Sequence, residues 1–469
     1  MKLRPFFFHV VRLVSAFSFL YVWTASAGCK NKSLDNACNP ESKSYWESVF
    51  VSLGSGNTIP YCAGNPDAPR NLTYSTPTIV GNGLPFSITP SVIGSGLRYS
   101  VFPSLPAGAT IDALTGVLSG SYIGFAGSDT VYTVTAVNSS GFVSASVELV
   151  FLGPLPLKTG QTTCFDPAGN PIGCTGTGQD GQLQNGSIRS FTGPTLVSGT
   201  DYTTTDNRTG LVWKSCAEGQ AGATCVGAPN STDWATGSAA CANLNTISYA
   251  NRTDWRLPTV QELGSILLYD GTNPATFAAF FPNTSGVGHW TSTPVAGAPG
   301  DYWYDSFTEG VNGKSGPVGP NPSRCVGGPT LPTPLFRDNG DSTVTDVNTG
   351  LVWVKCPAGL SGAGCTTGAA TVTDWQNALL ACNSLNQSGR VWRLPSINEL
   401  RSIADLTGTF PISAINSTYF PNTPAGIFWT SSTGTVPANA WIVDFGAGNL
   451  VVDQGKGAGG SIRCVATGP

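Results

Sequence analysis

From residue 72 to 152 apolar and polar residues alternate almost one for one, most plainly in "YTVTAV" (132–137) and "VSASVELVF" (143–151) on either side of "NSSG". A period of two puts one face of each segment on a core and the other in water, which predicts strands. Gly, Pro, Asp and Ser punctuate "LPAGATIDALTGVLSGSYIG" (105–124) where a small sandwich has to turn its chain. Further on, the spacing of apolar positions lengthens. Trp375, Leu379, Cys382 and Leu385 fall at i, i+4, i+7 and i+10, one face of a helix, and Trp234, Cys241 and Leu244 keep the same stripe. Thr373, with Gln376 three residues on, reads as a capping box at the start of the later helix.

A second helix signal occurs twice, as "WRLPTVQELGSI" from Trp255 and "WRLPSINELRSI" from Trp392. Pro258 and Pro395 stop any earlier helix, and Thr259 with Glu262, like Ser396 with Glu399, forms a capping box. Leu263 and Ile266, like Leu400 and Ile403, supply the apolar face. Trp255 and Trp392 are then core anchors, while Arg256 and Arg393 bond main-chain carbonyls or a carboxylate. Catalysis would explain only the Arg and the Glu; structure explains every repeated residue.

The duplication is wider than this phrase. "DNRTGLVWKSC" (206–216) returns as "DVNTGLVWVKC" (346–356), "TDW" (232–234) at 373–375, "FFPNTSGVGHWTST" (280–293) as "YFPNTPAGIFWTSS" (419–432), and "RCV" at 324–326 and 463–465. So long a period means tandem globular modules, not a solenoid. The organisation expected is a signal peptide over 1–28, a tether over 29–71, a sandwich over 72–152, a disulfide-clipped hairpin and connector over 153–195, and two module copies over 196–328 and 329–469.

Lys2, Arg4 and Arg12 precede the apolar run "LVSAFSFLYVW" (13–23), which is too short for a stable membrane span and is followed by "TASAG". Ala25-Ser26-Ala27 suits ordinary signal peptidase, whereas "ASAGC" is a loose lipobox that would leave an acylated Cys29 as the first mature residue. Of thirteen cysteines, twelve remain without Cys29, an even number that favours the lipobox and an oxidising compartment. The pairs expected are Cys38–Cys62, Cys164–Cys174, Cys216–Cys225 and Cys356–Cys365 around short loops, with Cys241–Cys325 and Cys382–Cys464 around long ones. Structural zinc needs close Cys-x-x-Cys pairs, so no metal is expected there. The chain is read as exported across the inner membrane and held by its N-terminal lipid, at the outer membrane and exposed on the surface.

The series Thr-Gly-Leu-x-Trp, Trp-Arg-Leu-Pro-[Thr/Ser]-x-x-Glu-Leu, Phe-Trp-[Thr/Ser]-Ser and terminal Arg-Cys-Val closely resembles the Lcl C-terminal domain family, across both copies. That resemblance implies display on a bacterial envelope, a C-type-lectin-like α+β fold and, for some members, adhesion to host glycans or matrix proteins. Leu105-Pro106-x-Gly108, Ile111-Asp112, Thr115-Gly116 and Ser119-Gly120 resemble the immunoglobulin-like domains of bacterial surface proteins, which are usually spacers. The lipobox and the "CNP…YWESVF" tether resemble spirochaetal lipoproteins. The fold class expected is therefore multidomain: an Ig-like β-sandwich followed by two α+β C-type-lectin-like domains.

Composition narrows the chemistry. Charged residues are only 11%, with 58 Gly, 34 Pro and one Met, a turn-rich, β-heavy extracellular profile. The net charge of −4 offers no field for nucleic acid. Copy one (201–327) holds six Lys/Arg against ten Asp/Glu and copy two (337–469) seven against eight, which disfavours a polyanion. Neutral sugars would instead stack on exposed rings, and Tyr302, Trp303, Tyr304 and Trp441 are the candidates, while Trp290 and Trp429 read as core. None of the calcium-site strings of true C-type lectins occurs, and "DNGDSTVTD" (338–346) reads as a hairpin turn at Asn339-Gly340 before it reads as a calcium loop. The one mature histidine, His289, has Phe428 as its counterpart, so no catalytic triad is duplicated. "RLPT…E" is also similar to formylglycine-generating enzymes, whose oxidation needs reactive cysteines; here every cysteine but Cys29 has an expected disulfide partner. No enzyme, cofactor or oligomeric state is expected from these residues. The leading reading is a surface lipoprotein, an adhesin for glycan or matrix. A structural envelope protein is the alternative, and a formylglycine-generating-type enzyme ranks third.

Overall fold

The computed structural model describes residues 68–469 except 297, 309, 406–413, 447–449 and 469, together with positions 43, 46, 47 and 50. The signal segment, Cys29 and the Cys38–Cys62 pair lie outside the described residues. The chain is mostly β-sheet with a few short helices, in several separate sheets.

The alternating segments become the long strands Ser128–Asn138 and Gly141–Phe151, paired antiparallel along their whole length. With Arg98–Phe102 and Thr78–Val80 they form a four-stranded sheet, which faces a three-stranded sheet of Pro85–Ile88, Ala109–Ile111 and Leu118–Ser121. Tyr132, Val134, Ala136, Val147, Leu149 and Phe151 fill the space between, and the intervening Thr133, Ser144 and Ser146 stay in water. This sandwich is docked, not loose. Val150 and Leu152 pack on Val347 of copy two, Gly153 N donates to Val347 O at 2.8 Å, and the Arg337 guanidinium bridges Asp129, at 2.8 Å, and Glu148.

Each copy is built in the same way. A four-stranded sheet comes first, made of Phe191–Ser198, Asp201–Asp206, Val212–Lys214 and the returning Val326–Gly327 in copy one. Its equivalent in copy two uses Phe336–Asp338, Thr343–Asp346, Leu351–Val354 and Val465–Thr467. Phe336–Asp338 and Thr343–Asp346 pair as a hairpin, with Asn339-Gly340 in its turn. The amphipathic stripes form helices Trp234–Thr246 and Trp375–Asn383, and the repeated phrase forms the short helices Val260–Gly264 and Ile397–Ser402. A second sheet follows, of Gly288–Pro294, Tyr302–Ser306 and Asn312–Ser315 in copy one and Ile427–Thr433, Asn439–Asp444 and Leu450–Gly455 in copy two.

The capping box expected at Thr373 and Gln376 does not form. Asp374 is the N-cap, accepting from Asn377 N at 2.9 Å, and Thr373 sits in a two-residue strand paired with Gly460. A carboxylate is the stronger acceptor for an N-terminal amide, and Thr373 is already held by the sheet. Asp233 caps the copy-one helix in the same way, through Thr236 N at 2.7 Å. The copy-two helix also ends before Leu385, so the buried stripe is Trp375, Ala378, Leu379 and Cys382.

The two copies share one core. Leu263, Ile266, Phe281 and Phe307 of copy one lie in a single apolar cluster with Leu400, Ile403, Phe420 and Phe445 of copy two. At the seam Arg401 donates to the Tyr269 hydroxyl at 2.6 Å and pairs with Asp305 at 3.4 Å. Its counterpart in the repeated phrase is Gly264, where a Cβ would come within 2.8 Å of the Arg401 guanidinium; the absent side chain leaves room for the cation.

The connector is wedged into this seam. Gln161 Nε2 donates to Tyr269 O at 2.7 Å and Thr433 O at 2.6 Å, and Arg189 donates to Ser265 O and Leu267 O. Asp180 accepts from Thr159 Oγ1 at 2.7 Å and Ser432 Oγ at 2.6 Å. Burial pushes the Asp180 carboxyl up to about 6 against the pull of those hydroxyls. The folded chain thus holds this proton more tightly than the unfolded one, whose aspartate titrates near ~3.9. The stabilisation is complete below about pH 4 and is lost as pH rises through about 6. His289, pushed down to about 3 by burial, opposes it below its ordinary value of ~6.5. Asp180→Asn is expected to remove the Asp180 part of the rise in melting temperature between about pH 7 and about pH 5. A variant whose pH slope matched the parent would rule Asp180 out as its source.

Candidate functional site

Five disulfides close among the described residues: Cys164–Cys174, Cys216–Cys225, Cys241–Cys325, Cys356–Cys365 and Cys382–Cys464. The two long ones tie the first helix of each copy to the residue just before its returning strand. No described cysteine is free, so none offers a thiolate.

The repeated Arg and Glu meet each other. Arg256 clamps Glu262 with two bonds of 2.6 and 2.7 Å, and Arg393 clamps Glu399 with 2.5 and 2.7 Å. Each carboxylate also accepts the N-cap amide, Thr259 N at 2.7 Å or Ser396 N at 2.8 Å, while each cap hydroxyl takes the Glu amide in return. The Arg backbones pair with Val326 and Val465 of the returning strands, and Trp255 and Trp392 are buried alongside. With both oxygens of each buried carboxylate bonded, the pair ties the start of the short helix to the returning strand.

Sequence reading left out a second buried cation in each copy. Arg324 donates to Ser215 O and to Thr284 Oγ1 at 2.8 Å, over the Phe281 ring. Arg463 donates to Lys355 O at 2.6 Å and Thr423 Oγ1 at 2.7 Å, over Phe420. Burial pushes each guanidinium down to about 9, so both stay charged at neutral pH and are held by carbonyls, hydroxyls and ring faces. The signal was present: an arginine repeated directly before Cys-Val in both copies, just ahead of each returning strand.

The four proposed ring contacts separate. Trp303 and Trp441 are each 1% exposed, so their faces are closed and they cannot stack on a ligand. They are structural counterparts, since Thr291 Oγ1 donates to Trp303 O and Thr430 Oγ1 to Trp441 O, both at 2.7 Å. Along Tyr302–Ser306, Trp303, packed with Val260 and Val295, and Asp305 are buried on one face, so Tyr302 and Tyr304 point the other way, where they rest on the copy-one core around Cys241, Trp255 and Trp290. Both are half-buried, and a third ring joins them: Trp234 lies parallel to Tyr302, centroids 3.7 Å apart and planes 9° apart. Tyr304 is packed down on two glycines, where a Cβ at Gly288 or Gly313 would come within 2.6 or 2.5 Å of its ring. Trp290 and Trp429 are fully buried.

Copy two lacks this strip. Cross-strand pairing puts Ala440 and Ile442 in the places of Tyr302 and Tyr304, and Ile427 and Val452 in those of Gly288 and Gly313. Trp375, the counterpart of Trp234, is buried beneath the Lys456 ammonium, 4.2 Å from its ring centre. That ammonium donates to Pro437 O at 2.8 Å and to Asp166 O of the disulfide hairpin at 3.3 Å, and burial pushes it down to about 8.

His289 is buried against Phe307 and its Nδ1 faces Val287 O at 3.0 Å. Among the described residues no three His, Cys, Asp or Glu side chains converge on a cation-sized space. A cleft of about 200 Å³ at the seam is lined by Tyr269, Asn273, Thr308, Thr435 and Trp441 among others, without a charged side chain.

A family model described as the Lcl C-terminal domain matches residues 202–327 and 342–466, more than half of the chain. No curated protein matches. Solved structures with a local likeness include a titin M10–obscurin-like 1 Ig complex (17% identity, 19% of this chain and 98% of that one, TM-score 0.16). Another is a SusE-like surface located polysaccharide binding protein from the Bacteroides thetaiotaomicron heparin utilisation locus (16% identity, 21% and 18%, TM-score 0.16). Murine CEACAM1b is a third (16% identity, 18% and 45%, TM-score 0.15). TM-scores this low carry no information about the ligand or activity of this chain.

Proposed function

Since this chain belongs to the Lcl C-terminal domain family and carries that domain twice in tandem, we propose that it is a lipid-anchored bacterial surface protein that binds an extracellular glycan or matrix component noncovalently. The observation that carries the reading is the strip of Trp234, Tyr302 and Tyr304: three rings left partly in water on a body that buries its described strand tryptophans. Rigid aromatic surface at low entropic cost is what a noncovalent binding site needs. On this reading each copy is a lectin-like α+β module, and the N-terminal part is an Ig-like sandwich clamped to copy two as a rigid riser.

Enzymatic alternatives draw no support from the groups at hand. The described cysteines are all paired, the one mature histidine is buried, and the duplicated Arg–Glu pairs are closed on themselves.

Purified full-length protein applied to an array of glycans and matrix proteins is expected to retain a specific ligand, and Tyr304→Ala to weaken it. Specific retention of nothing would sink the reading in favour of a structural envelope role. The isolated 196–469 fragment is a poor reagent for this test. It lacks Gln161, Asp180 and Arg189, which fill the seam between the copies.

A further inference from the structure

We infer that the copy-one strip takes the apolar face of a neutral pyranose at a single site per chain, the matching face of copy two being filled from within. This rests on the ligand-binding reading and names its ligand class and stoichiometry.

The first argument is orientation. A pyranose presents a patch of C–H groups, weakly positive at hydrogen, which suits the negative face of an aromatic ring rather than its edge. Tyr304 can lie low over the sheet only because Gly288 and Gly313 have no side chain beneath it. Tyr302 is held by its parallel stack on Trp234, whose indole N–H is anchored to Thr291 O at 2.9 Å. Preset rings lose little freedom when a ligand arrives.

Charge is the second. The strip's half-buried polar neighbours are the neutral Ser306, Ser315 and Asn321 with the acidic Asp301 beside Tyr302, and no basic group is among them. Six basic residues against ten acidic ones in copy one oppose a sulfated or carboxylated glycan.

The third is the difference between the copies. Where copy one has Tyr302, Tyr304, Gly288 and Gly313, copy two has aliphatic side chains that cannot stack. The one ring it retains, Trp375, is covered by Lys456, and the Cys164–Cys174 hairpin packs over that lysine through Asp166 O and the Phe165 ring. The connector thus closes copy two and leaves copy one open.

The test is calorimetric titration of the full-length protein with methyl β-galactoside, methyl α-mannoside, methyl β-N-acetylglucosaminide and a heparin tetrasaccharide. One of the neutral glycosides is expected to bind once per chain. Tyr302→Ala and Tyr304→Ala should each weaken it about tenfold, while Tyr304→Phe, which keeps the ring, should hold affinity within about twofold. Melting curves show whether the variants remain folded; where an alanine variant does not, Tyr302→Leu or Tyr304→Leu, which keeps bulk without a ring, takes its place and is expected to weaken binding similarly. Two sites per chain, preference for heparin, or indifference to both tyrosines would overturn the inference. If an array ligand is nonetheless retained, the surface-binding reading survives that failure; if the array also retains nothing, both fall.

Discussion

Glu399→Gln is expected to lower the free energy of unfolding by about 3–5 kcal/mol, the usual cost of removing one partner of a buried ion pair. The carboxylate takes two bonds from Arg393 and one from Ser396 N. An amide of the same shape keeps one acceptor oxygen and turns its NH2 toward a guanidinium that has only donors. Arg393 would then be a buried cation that has lost its bidentate partner, with Asp180 the remaining acidic neighbour. Glu262→Gln should cost less, because the Arg256 side chain is 29% exposed against 9% for Arg393 and water can solvate it. The check is denaturant unfolding of the two variants beside the parent. Equal effects would mean that exposure of the arginine does not control the cost, and no effect in either would return the duplicated Arg–Glu pair to candidacy for a function other than bracing.

Opening the long cross-link of copy two, with Cys382→Ala and Cys464→Ala together, should cost about 4 kcal/mol on the chain-entropy model. The corresponding change at Cys356 and Cys365 should cost less, about 3 kcal/mol, since the separation falls from 82 residues to 9. Cys382 is also fully buried on the helix that Trp375 and Leu379 anchor, so losing its sulfur thins the packing there. Unfolding of both double variants under non-reducing conditions measures the order. A short-loop variant as damaged as the long-loop one would show that local packing, not loop closure, sets the contribution.

Much of this architecture could be read from spacing because the underlying interactions are local or numerical. Thr259 with Glu262 and Ser396 with Glu399 cap their helices across one turn, and nothing distant needs to be known for that. Matched cysteine intervals in two copies leave few sensible pairings, and the structure pairs the described ones in that way. Period-two alternation named the core and solvent faces of Ser128–Asn138 and Gly141–Phe151, since one side of that sheet meets water.

The same logic fails at Tyr302–Ser306. Both faces of that strand carry aromatic or apolar residues, so alternation separates Trp303 from Tyr302 and Tyr304 without saying which side is covered. Thr373 misled for a related reason: the hydroxyl was available, but a strand pairing with Gly460 and a better acceptor one residue on had already decided the cap.

By itself, then, the sequence determined the two copies, their helix starts at the repeated phrase, their cysteine pairing and the alternating strands, all of which depend on intervals along one chain. Only the tertiary structure decided that the copies share a core, that Gln161 of the connector bridges them, that Arg324 and Arg463 are buried on carbonyls, and that Trp234, Tyr302 and Tyr304 remain partly open. Exposure is a property of what packs against a residue, and here the covering groups lie far away in the chain, within the same copy for Arg324 and Arg463 and in the other copy for Trp441, whose ring meets Tyr269.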